Sequence, residues 1–356
     1  MKKLMTIALV LAVFVSTFSG SLIASTPTGD DKNITLSGAG ATLPLPFYNQ
    51  LIANYSDKTG TLVTYGGIGS GGGIRSLKDK VVDFGATDAF LTDAQSAELS
   101  APIVHIPTCM GAVVIAYNLP GNPSLKMEND VLVKIFLGEI TKWNDPKIKA
   151  ENPGVKLPDM NITVVYRSDG SGTTFIFSDY LSKVSPEWAK KVGTGKALNW
   201  PVGMSAKGNP GVAGTIKVTE GAFGYIGSEY AFAEKIPFVN LKNKAGNYIE
   251  PSVASVSAAA QGDIPADTRV MLTNSSDPKA YPISAFTWII LYKEQNYNGR
   301  SLGQANATLK FLDWLEGADA QGVAEKVNYA PLPPKAVKLA KEILRTVTYN
   351  GKPVLN

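Results

Sequence analysis

Residues 162–181 read ITVVYRSDGSGTTFIFSDYL, which is an apolar run, a glycine-rich turn and a second apolar segment. The residues from Ile162 to Tyr166 are mostly β-branched or aromatic and predict a strand. The apolar residues from Phe175 to Leu181 have helical spacing. Between them, the turn at 167–174 places hydroxyl groups at the start of a helix, and its glycines let a ligand approach the backbone N–H groups. The stretch therefore predicts a strand, a turn and a helix that together favour anion binding.

Two other turns have the same chemistry. Residues 37–44 read SGAGATLP, after a strand predicted at 34–36. A helix is expected to begin near Pro44 or Pro46, because proline is favoured in the first turn of a helix. Residues 66–73 read GGIGSGGG, after a strand predicted at 62–65. One such turn is more often a tight connection than an anion site. Three of them with Arg167 would carry roughly +2.5 charges if they converged, since each helix N-terminus contributes about half a charge.

Convergence of the three turns would bring several hydrogen-bond donors to one small anion. Hydrogen bonds to a charged ligand contribute about 1.5 to 3 kcal/mol each, so such a set could hold a dehydrated oxyanion without a metal. The predicted donors are the backbone N–H groups of Leu43, Gly172 and Thr173 and the hydroxyls of Thr42, Ser70, Ser171 and Thr173.

Strand and helix patterns alternate along the chain, which is typical of an α/β architecture with mainly parallel sheets flanked by helices. Further strands are predicted at 81–85, 112–117, 223–226 and 287–292, and helices at 47–55, 309–315 and 335–345. Proline and turn residues at 101–107 and 274–282 are interpreted as crossings between two lobes. The length of 356 residues favours two domains of about 150 residues or more each.

The composition excludes several classes of function. Hydrophobic residues make up 44% of the chain and charged residues 18%, which excludes a disordered tail and an integral membrane bundle. His105 and Cys109 are the only His and Cys, so neither a disulfide within the chain nor a metal site of several such residues can form. The formal charge of +4 falls to +2 without Lys2 and Lys3. That charge is too weak to indicate nucleic-acid binding.

Residues 1–25 have the features of a secretory signal peptide. Lys2 and Lys3 give a basic start, and the apolar run from Leu4 to Val15 is too short to span a membrane. Small residues follow near Ser25, and no cysteine stands there to accept a lipid. The pattern predicts that the protein is exported as a soluble protein whose mature chain begins near Ser25 or Thr26.

Motifs for hydrolysis or nucleotide binding do not fit. None of the turns ends in the Gly-Lys-Ser/Thr of a P-loop, and Ser70 and Ser171 lack the glycine spacing of a hydrolase nucleophile elbow. His105 lies in an apolar run, where a structural role is favoured over a catalytic one. A phosphatase that uses the same turns, and a sensor or adhesin of the same fold, are alternatives that the residues alone do not separate.

Residues 82–89 read VDFGATDA, a strand that runs into a turn at Asp88, which could by itself be a helix cap. This segment and the three turns occur in one order with KWND at 142–145, GTG at 193–195, NWPVG at 199–203 and GAFGY at 221–225. Together they resemble the periplasmic phosphate-binding proteins of Pst ABC transporters (the PstS family). The resemblance weakens after 225, returns at 281–283 and 311–314, and so covers essentially the whole mature chain.

The resemblance implies a type II periplasmic binding protein, in which two lobes close on phosphate like a venus flytrap. Lobe one is then expected at 26–108 plus 282–356 and lobe two at 109–281, with two crossings between them. The implied function is high-affinity binding of inorganic phosphate by a periplasmic monomer without a cofactor, and delivery to the permease and ATPase subunits of an ABC importer. No bond is made or broken, so the chain is not expected to be an enzyme.

The resemblance also implies which residues touch the ligand. These are Thr42, Leu43 through its N–H, Ser70, Asp88, Arg167, Ser171, Gly172 and Thr173, with Asp169 holding Arg167 by a salt bridge. Leu43 stands where some relatives have Phe, which leaves a backbone contact unaffected.

Asp88 gives such a site a physical reason to prefer phosphate. A carboxylate beside a bound anion is repulsive unless the anion donates a proton, and phosphate at neutral pH carries one or two protons while sulfate carries none. Two buried acceptors that face each other cost several kcal/mol. The sequence therefore predicts that Asp88 selects protonated phosphate over sulfate.

Overall fold

The computed structural model describes residues 34–355, so the signal peptide predicted at 1–25 lies outside the described residues. Thirteen strands occur in the described residues: β1 (Thr35–Gly40), β2 (Leu62–Gly67), β3 (Phe84–Thr87), β4 (Ile103–Tyr117), β5 (Leu125–Met127), β6 (Thr163–Arg167), β7 (Met204–Ala206), β8 (Ala222–Gly227), β9 (Val239–Lys242), β10 (Tyr248–Ile249), β11 (Ser284–Tyr292), β12 (Thr348–Tyr349) and β13 (Lys352–Pro353). The main sheet has eight of them in the order β2-β1-β3-β11-β4-β8-β6-β7, and the others form two small sheets.

Helices lie between most of these strands, as the alternating pattern predicts. Those in residues 34–355 are α1 (Leu45–Thr59), α2 (Ser70–Lys78), α3 (Asp93–Ala97), α4 (Asn129–Phe136), α5 (Pro146–Glu151), α6 (Gly172–Val184), α7 (Pro186–Lys191), α8 (Gly208–Val218), α9 (Ser228–Glu234), α10 (Val253–Ala259), α11 (Leu302–Leu315), α12 (Ala318–Ala324) and α13 (Pro334–Arg345). A short 3-10 turn follows α12 at Glu325–Val327.

The pairing of the main sheet differs between its ends and its centre. Four of its seven pairings are parallel, and they lie at the two ends: β1 with β2 and β3, and β6 with β7 and β8. The three central pairings, β3 with β11, β11 with β4 and β4 with β8, are antiparallel. The predicted α/β class with mainly parallel pairing is confirmed. The antiparallel pairing at the centre of the sheet was not predicted.

Strand β4 is 15 residues long and belongs to both halves of the sheet. Its first part pairs with β11, and Val113–Tyr117 pair with β8. The segment 101–107, interpreted as a crossing, therefore lies mostly in a strand. Pro107 faces Trp288 and Cys109 faces Thr287, so Thr108 is an extra, unpaired residue between them. A bulge of this kind bends a strand and tolerates a proline.

The core runs through the centre of this sheet. Every residue of β8 and β11 is buried, as expected for strands that other elements cover on both faces. Helix α13 packs on the core through Ala336, Ala340 and Leu344, which share one face at helical spacing. No helix within residues 34–355 is long and apolar enough to cross a membrane.

The ends of the strands position the predicted site residues. Strand β1 ends at Gly40, two residues before Thr42, and strand β3 ends just before Asp88. Strand β6 ends at Arg167 itself. Ligand sites in open α/β sheets lie beyond the carboxyl ends of the strands. The fold thus places the predicted site where this architecture favours one.

Candidate functional site

The three glycine-rich turns meet at one place, and we call them turn one (37–44), turn two (66–73) and turn three (167–174). Turn two is tied to turn one by the N–H groups of Ile68 and Gly69, which donate to Gly40 O at 3.0 and 2.8 Å. Turn two is tied to turn three by Gly71 N–H, which donates to Gly170 O at 2.7 Å. Turns two and three are about a hundred positions apart in the chain and lie in opposite halves of the main sheet. The Gly71–Gly170 hydrogen bond therefore joins the two halves.

Glycine allows turns two and three to approach this closely. A Cβ atom on Gly71 would lie 3.1 Å from the Cα of Gly170, and one on Gly170 would lie 3.2 Å from the Cα of Gly71. A Cβ atom on Gly172 would overlap Ser70 Oγ and lie 2.7 Å from Asp88 Oδ2. The backbone of turn three therefore faces Ser70 and Asp88 directly, which only glycine permits at these positions.

Turn one presents Thr42 and Leu43, both buried, before helix α1. The carbonyl oxygen of Thr42 accepts a hydrogen bond from Tyr230 Oη at 2.6 Å, and that of Leu43 accepts one from Tyr329 Oη at 2.6 Å. These two tyrosines occupy the carbonyls and hold the turn in one conformation. The helix begins at Leu45, with Pro46 in its first turn, as the proline pattern predicts.

Ser70 of turn two and Asp88 lie side by side, and both are fully buried. Ser70 Oγ accepts a hydrogen bond from Asp88 N–H at 3.2 Å. The Oδ1 atom of Asp88 accepts one from Thr287 Oγ1 at 2.9 Å, while Oδ2 faces Gly172. Burial raises the pKa of Asp88 to about 7, against the opposing effects of the Thr287 hydrogen bond and the charge of Arg167.

Turn three holds a buried ion pair. Arg167 Nε and Nη2 donate to the two oxygens of Asp169 at 2.8 and 2.5 Å, and Nη1 donates to Thr173 Oγ1 at 3.3 Å. Burial by itself raises the pKa of Asp169, but the hydrogen bonds and charge of Arg167 and the N–H of Gly208 hold it below its ordinary value. The bidentate geometry fixes the guanidinium plane.

Ser171 caps helix α6, and its Oγ accepts a hydrogen bond from Thr174 N–H at 3.0 Å. The backbone N–H of Ser171 donates to Lys196 O at 2.8 Å. Burial lowers the pKa of the Lys196 ammonium to about 8, although the charge of Asp88 opposes that shift. Lys196 is thus a second cation beside the site, and the sequence reasoning missed it although it directly follows the GTG segment at 193–195.

The charge balance differs from the sequence estimate. That estimate of roughly +2.5 counted Arg167 as a free cation. In the structure Asp169 pairs with Arg167, and Asp88 adds a titratable carboxyl. Arg167 is therefore an oriented, charge-paired donor rather than a free cation, and helix N-termini and Lys196 add positive charge around it.

Two polar residues of the site were not predicted. Asn209, at the start of α8, is fully buried and donates through Nδ2 to Thr42 Oγ1 and to Thr173 Oγ1 at 3.0 and 3.1 Å. Residues 207–211, KGNPG, are a fourth glycine turn after a short strand, which is the signal that would have found it. Thr287 lies in the middle of an apolar strand, where nothing in the sequence marks it.

His105 and Cys109 are both buried, and Cys109 lies opposite Thr287, the residue that donates to Asp88. His105 Nε2 accepts a hydrogen bond from Leu91 N–H at 3.0 Å, and burial lowers the pKa of the imidazole to about 3. Burial also raises the pKa of the Cys109 thiol well above its ordinary value. Within residues 34–355, no group of three or more His, Cys, Asp or Glu is placed to hold a metal ion.

Known proteins resemble the chain over most of its length. A family model described as a PBP superfamily domain matches residues 25–318. The phosphate-binding protein PstS of Xylella fastidiosa (strain 9a5c) is 40% identical over 314 residues, which cover 86% of this chain and 84% of the relative. The phosphate-binding protein PstS of Pasteurella multocida (strain Pm70) is 39% identical over 340 residues, which cover 93% of each chain.

A solved structure has the same fold. It is a high affinity periplasmic phosphate-binding protein (PfluDING) bound with phosphate, and it matches with a TM-score of 0.69. The match covers 90% of this chain and 100% of that chain at 19% identity. At that identity the likeness concerns the architecture.

Proposed function

The chain belongs to the PstS family of phosphate-binding proteins, and on this premise we propose that it binds inorganic phosphate in the periplasm and delivers it to a membrane importer. The observation that carries the proposal is the meeting of turns one, two and three around Ser70, Asp88 and Gly172. A buried place with N–H and O–H donors from several segments suits a small tetrahedral oxyanion.

Each predicted site residue has a role in this proposal. Arg167 donates to phosphate oxygens, and Asp169 orients its guanidinium group. The N–H groups of Leu43, Gly172 and Thr173 and the hydroxyls of Thr42, Ser70, Ser171 and Thr173 complete the donor set. The donors of Gly172 and Thr173 belong to the first turn of α6, where the helix dipole also favours an anion.

Asp88 is the acceptor in this arrangement. Thr287 donates to its Oδ1 atom, whereas Oδ2 lies on the side of Gly172, so Oδ2 is the oxygen that would accept the proton of bound phosphate. Sulfate has no proton to offer, and its oxygens would face a carboxylate in a buried place. We therefore assign to Asp88 the discrimination of phosphate from sulfate.

The domain organisation that fits this function has two lobes, at 26–108 plus 282–356 and at 109–281, which close around the ligand. The bulge at Thr108 lies at the proposed boundary, and a bulge is a local bend in a strand. Turns one and two belong to lobe one, and turn three belongs to lobe two. The Gly71–Gly170 hydrogen bond would then be a contact between closed lobes.

The proposed role is binding and transport, carried out by a monomer with the permease and ATPase subunits of an ABC importer as partners. A phosphatase is the rival function, since it would hold phosphate in the same way. It needs a nucleophile with a base. His105 Nε2 is already the acceptor for Leu91 N–H, and the Cys109 thiol is buried, so neither side chain is disposed for that chemistry.

Retention of labelled phosphate by the purified protein after dialysis tests the proposal, measured beside turnover of a chromogenic phosphate ester. We expect retention of one phosphate per chain and no turnover. Arg167→Met is expected to lose retention. Arg269→Met is the matched control, because Arg269 makes ion pairs with Asp93 and Asp267 away from the three turns. Ester turnover, or equal retention by both variants, would contradict the proposal.

A further inference from the structure

Asn209 connects two of the residues proposed to hold phosphate, and the hydrogen bonds around it are complete. Its side-chain Nδ2 donates to Thr42 Oγ1 at 3.0 Å and to Thr173 Oγ1 at 3.1 Å. Its backbone N–H donates to Thr42 Oγ1 at 3.2 Å. Its Oδ1 atom accepts a hydrogen bond from Gly227 N–H at 3.0 Å. Since Oδ1 must face the Gly227 donor, the orientation of the amide is fixed, and Nδ2 is the group that faces the threonines.

These contacts decide what the two threonine hydroxyls can still do. A hydroxyl has one proton to donate and two lone pairs to accept with. Thr42 Oγ1 accepts twice, from the backbone N–H and from Nδ2 of Asn209. Thr173 Oγ1 also accepts twice, from Asn209 Nδ2 and from Arg167 Nη1. Both lone pairs of each oxygen are occupied, so each hydroxyl can act toward a ligand only as a donor.

We propose that Asn209 is a positioning residue that commits the hydroxyls of Thr42 and Thr173 to donating, so that they bind only unprotonated oxygens of the ligand. The inference rests on the proposed phosphate site and adds to it a rule for how the ligand is oriented. Oxygens without a proton lie toward Thr42 and Thr173. The protonated oxygen lies toward Asp88, the acceptor on the other side of the site.

Replacement of Asn209 by Asp tests the rule because the two side chains have nearly the same shape. In Asn209→Asp one carboxylate oxygen still accepts from Gly227 N–H. The other oxygen takes the place of Nδ2, so an acceptor faces Thr42 and Thr173 where the wild type has a donor. The hydroxyl protons of Thr42 and Thr173 then turn toward the carboxylate and are lost to phosphate. Two charge-assisted hydrogen bonds are affected, so phosphate affinity at pH 9 should fall by at least about a hundredfold.

Asn209→Ala separates positioning from simple packing. Alanine leaves the hydroxyls free to rotate, so some of their donation to phosphate survives. The expected order of phosphate affinity is wild type, then Asn209→Ala, then Asn209→Asp. A residue that served packing alone would give the opposite order for the two variants, since Ala removes more atoms than Asp.

The pH dependence gives a second readout. Protonation of the introduced carboxyl restores one donor, so the ratio of wild-type to Asn209→Asp affinity should be at least about tenfold smaller at pH 5 than at pH 9. The ratio is used because other groups around Asn209 titrate in both proteins. The charged and titratable groups around this hydrogen-bond network are Arg167 and Asp169 of turn three, Asp88 beyond β3, Lys196, Tyr230, which donates to Thr42 O, and Glu229 beside Gly227.

Asn118→Asp is the matched control at the other end of the same helix. Asn118 Nδ2 also donates twice, to the carbonyls of Ile216 and Lys217 at 3.0 and 2.9 Å near the end of α8. Thermal unfolding and isothermal titration with inorganic phosphate are measured for all four proteins. We expect Asn118→Asp to bind phosphate as the wild type does.

Binding by Asn209→Asp within about threefold of wild type at pH 9, or weaker binding by Asn209→Ala than by Asn209→Asp, would overturn the inference alone. Absence of phosphate binding by the wild type would instead overturn the proposed function.

Discussion

The preference for phosphate over sulfate is predicted to increase with pH above 7, because burial raises the pKa of Asp88 to about 7. Below that pH the ligand-free protein carries a protonated Asp88, which can donate to sulfate as well as to phosphate. Above it Asp88 is ionised, and sulfate can bind without two facing acceptors only if Asp88 takes up a proton.

The magnitude follows from the cost of that proton. Protonation of a group above its pKa costs about 1.4 kcal/mol per pH unit, which is a factor of ten in affinity. With a pKa of about 7, sulfate binding should weaken relative to phosphate roughly tenfold at pH 8 and roughly a hundredfold at pH 9. Phosphate is free of this cost because the dianion brings its own proton.

The assay is competition of sulfate against labelled phosphate at pH 7, 8 and 9 and constant ionic strength. The decisive variant is Asp88→Asn, in which Oδ1 can still accept from the Thr287 hydroxyl while the amide N–H group donates to the ligand. It should bind sulfate and lose the pH dependence of the preference. Asp319→Asn, which changes an exposed ion pair with Lys58, should behave as the wild type does. A preference that stays constant with pH in the wild type, or persists in Asp88→Asn, would refute the reasoning.

Two further predictions concern packing and burial. Gly172→Ala places a methyl group against Ser70 Oγ and Asp88 and should weaken phosphate binding by about tenfold or more, as measured by isothermal titration. Gly214→Ala is its control, since nothing lies within 4 Å of that Cβ position, and unchanged binding in both variants would argue against the site. Burial raises the pKa of Glu229 well above its ordinary value, so the folded protein binds a proton that the unfolded chain releases, and stability should fall as pH rises above the unfolded pKa. Chemical denaturation at pH 5 and pH 8 should show a smaller fall in Glu229→Gln, and an equal fall in both proteins would contradict this.

Much of the fold could be predicted because its elements have strong local patterns. The strands β1, β2, β6, β8 and β11 and the helices α1, α6, α11 and α13 lie where apolar periodicity and proline placement predict them. The antiparallel pairing of β4 with β11 joins residues more than 170 positions apart, and nothing local in the sequence encodes it. Only the second part of β4, at 112–117, was predicted as a strand. Pro107 indicates a strand break in the sequence, and the bulge that accommodates this proline is visible only in the folded sheet.

The candidate site was predictable to the extent that turn chemistry marks it. Thr42, Ser70 and Arg167 stand in or beside glycine-rich turns that open helices, so their places could be inferred from residue types and spacing. Asn209 and Thr287 act through other residues, on the threonine hydroxyls and on Asp88, and single side chains of this kind have no pattern of their own. Their roles become visible only when the hydrogen bonds of the folded protein are traced.

A crystal structure of the protein grown with inorganic phosphate at pH 8 tests the central claim most directly. It should contain one phosphate enclosed by turns one, two and three, with Arg167 and Thr173 donating to it and one of its oxygens at hydrogen-bond distance from Asp88 Oδ2. A phosphate bound at another place, or one whose nearest groups exclude Arg167 and Asp88, would contradict the account.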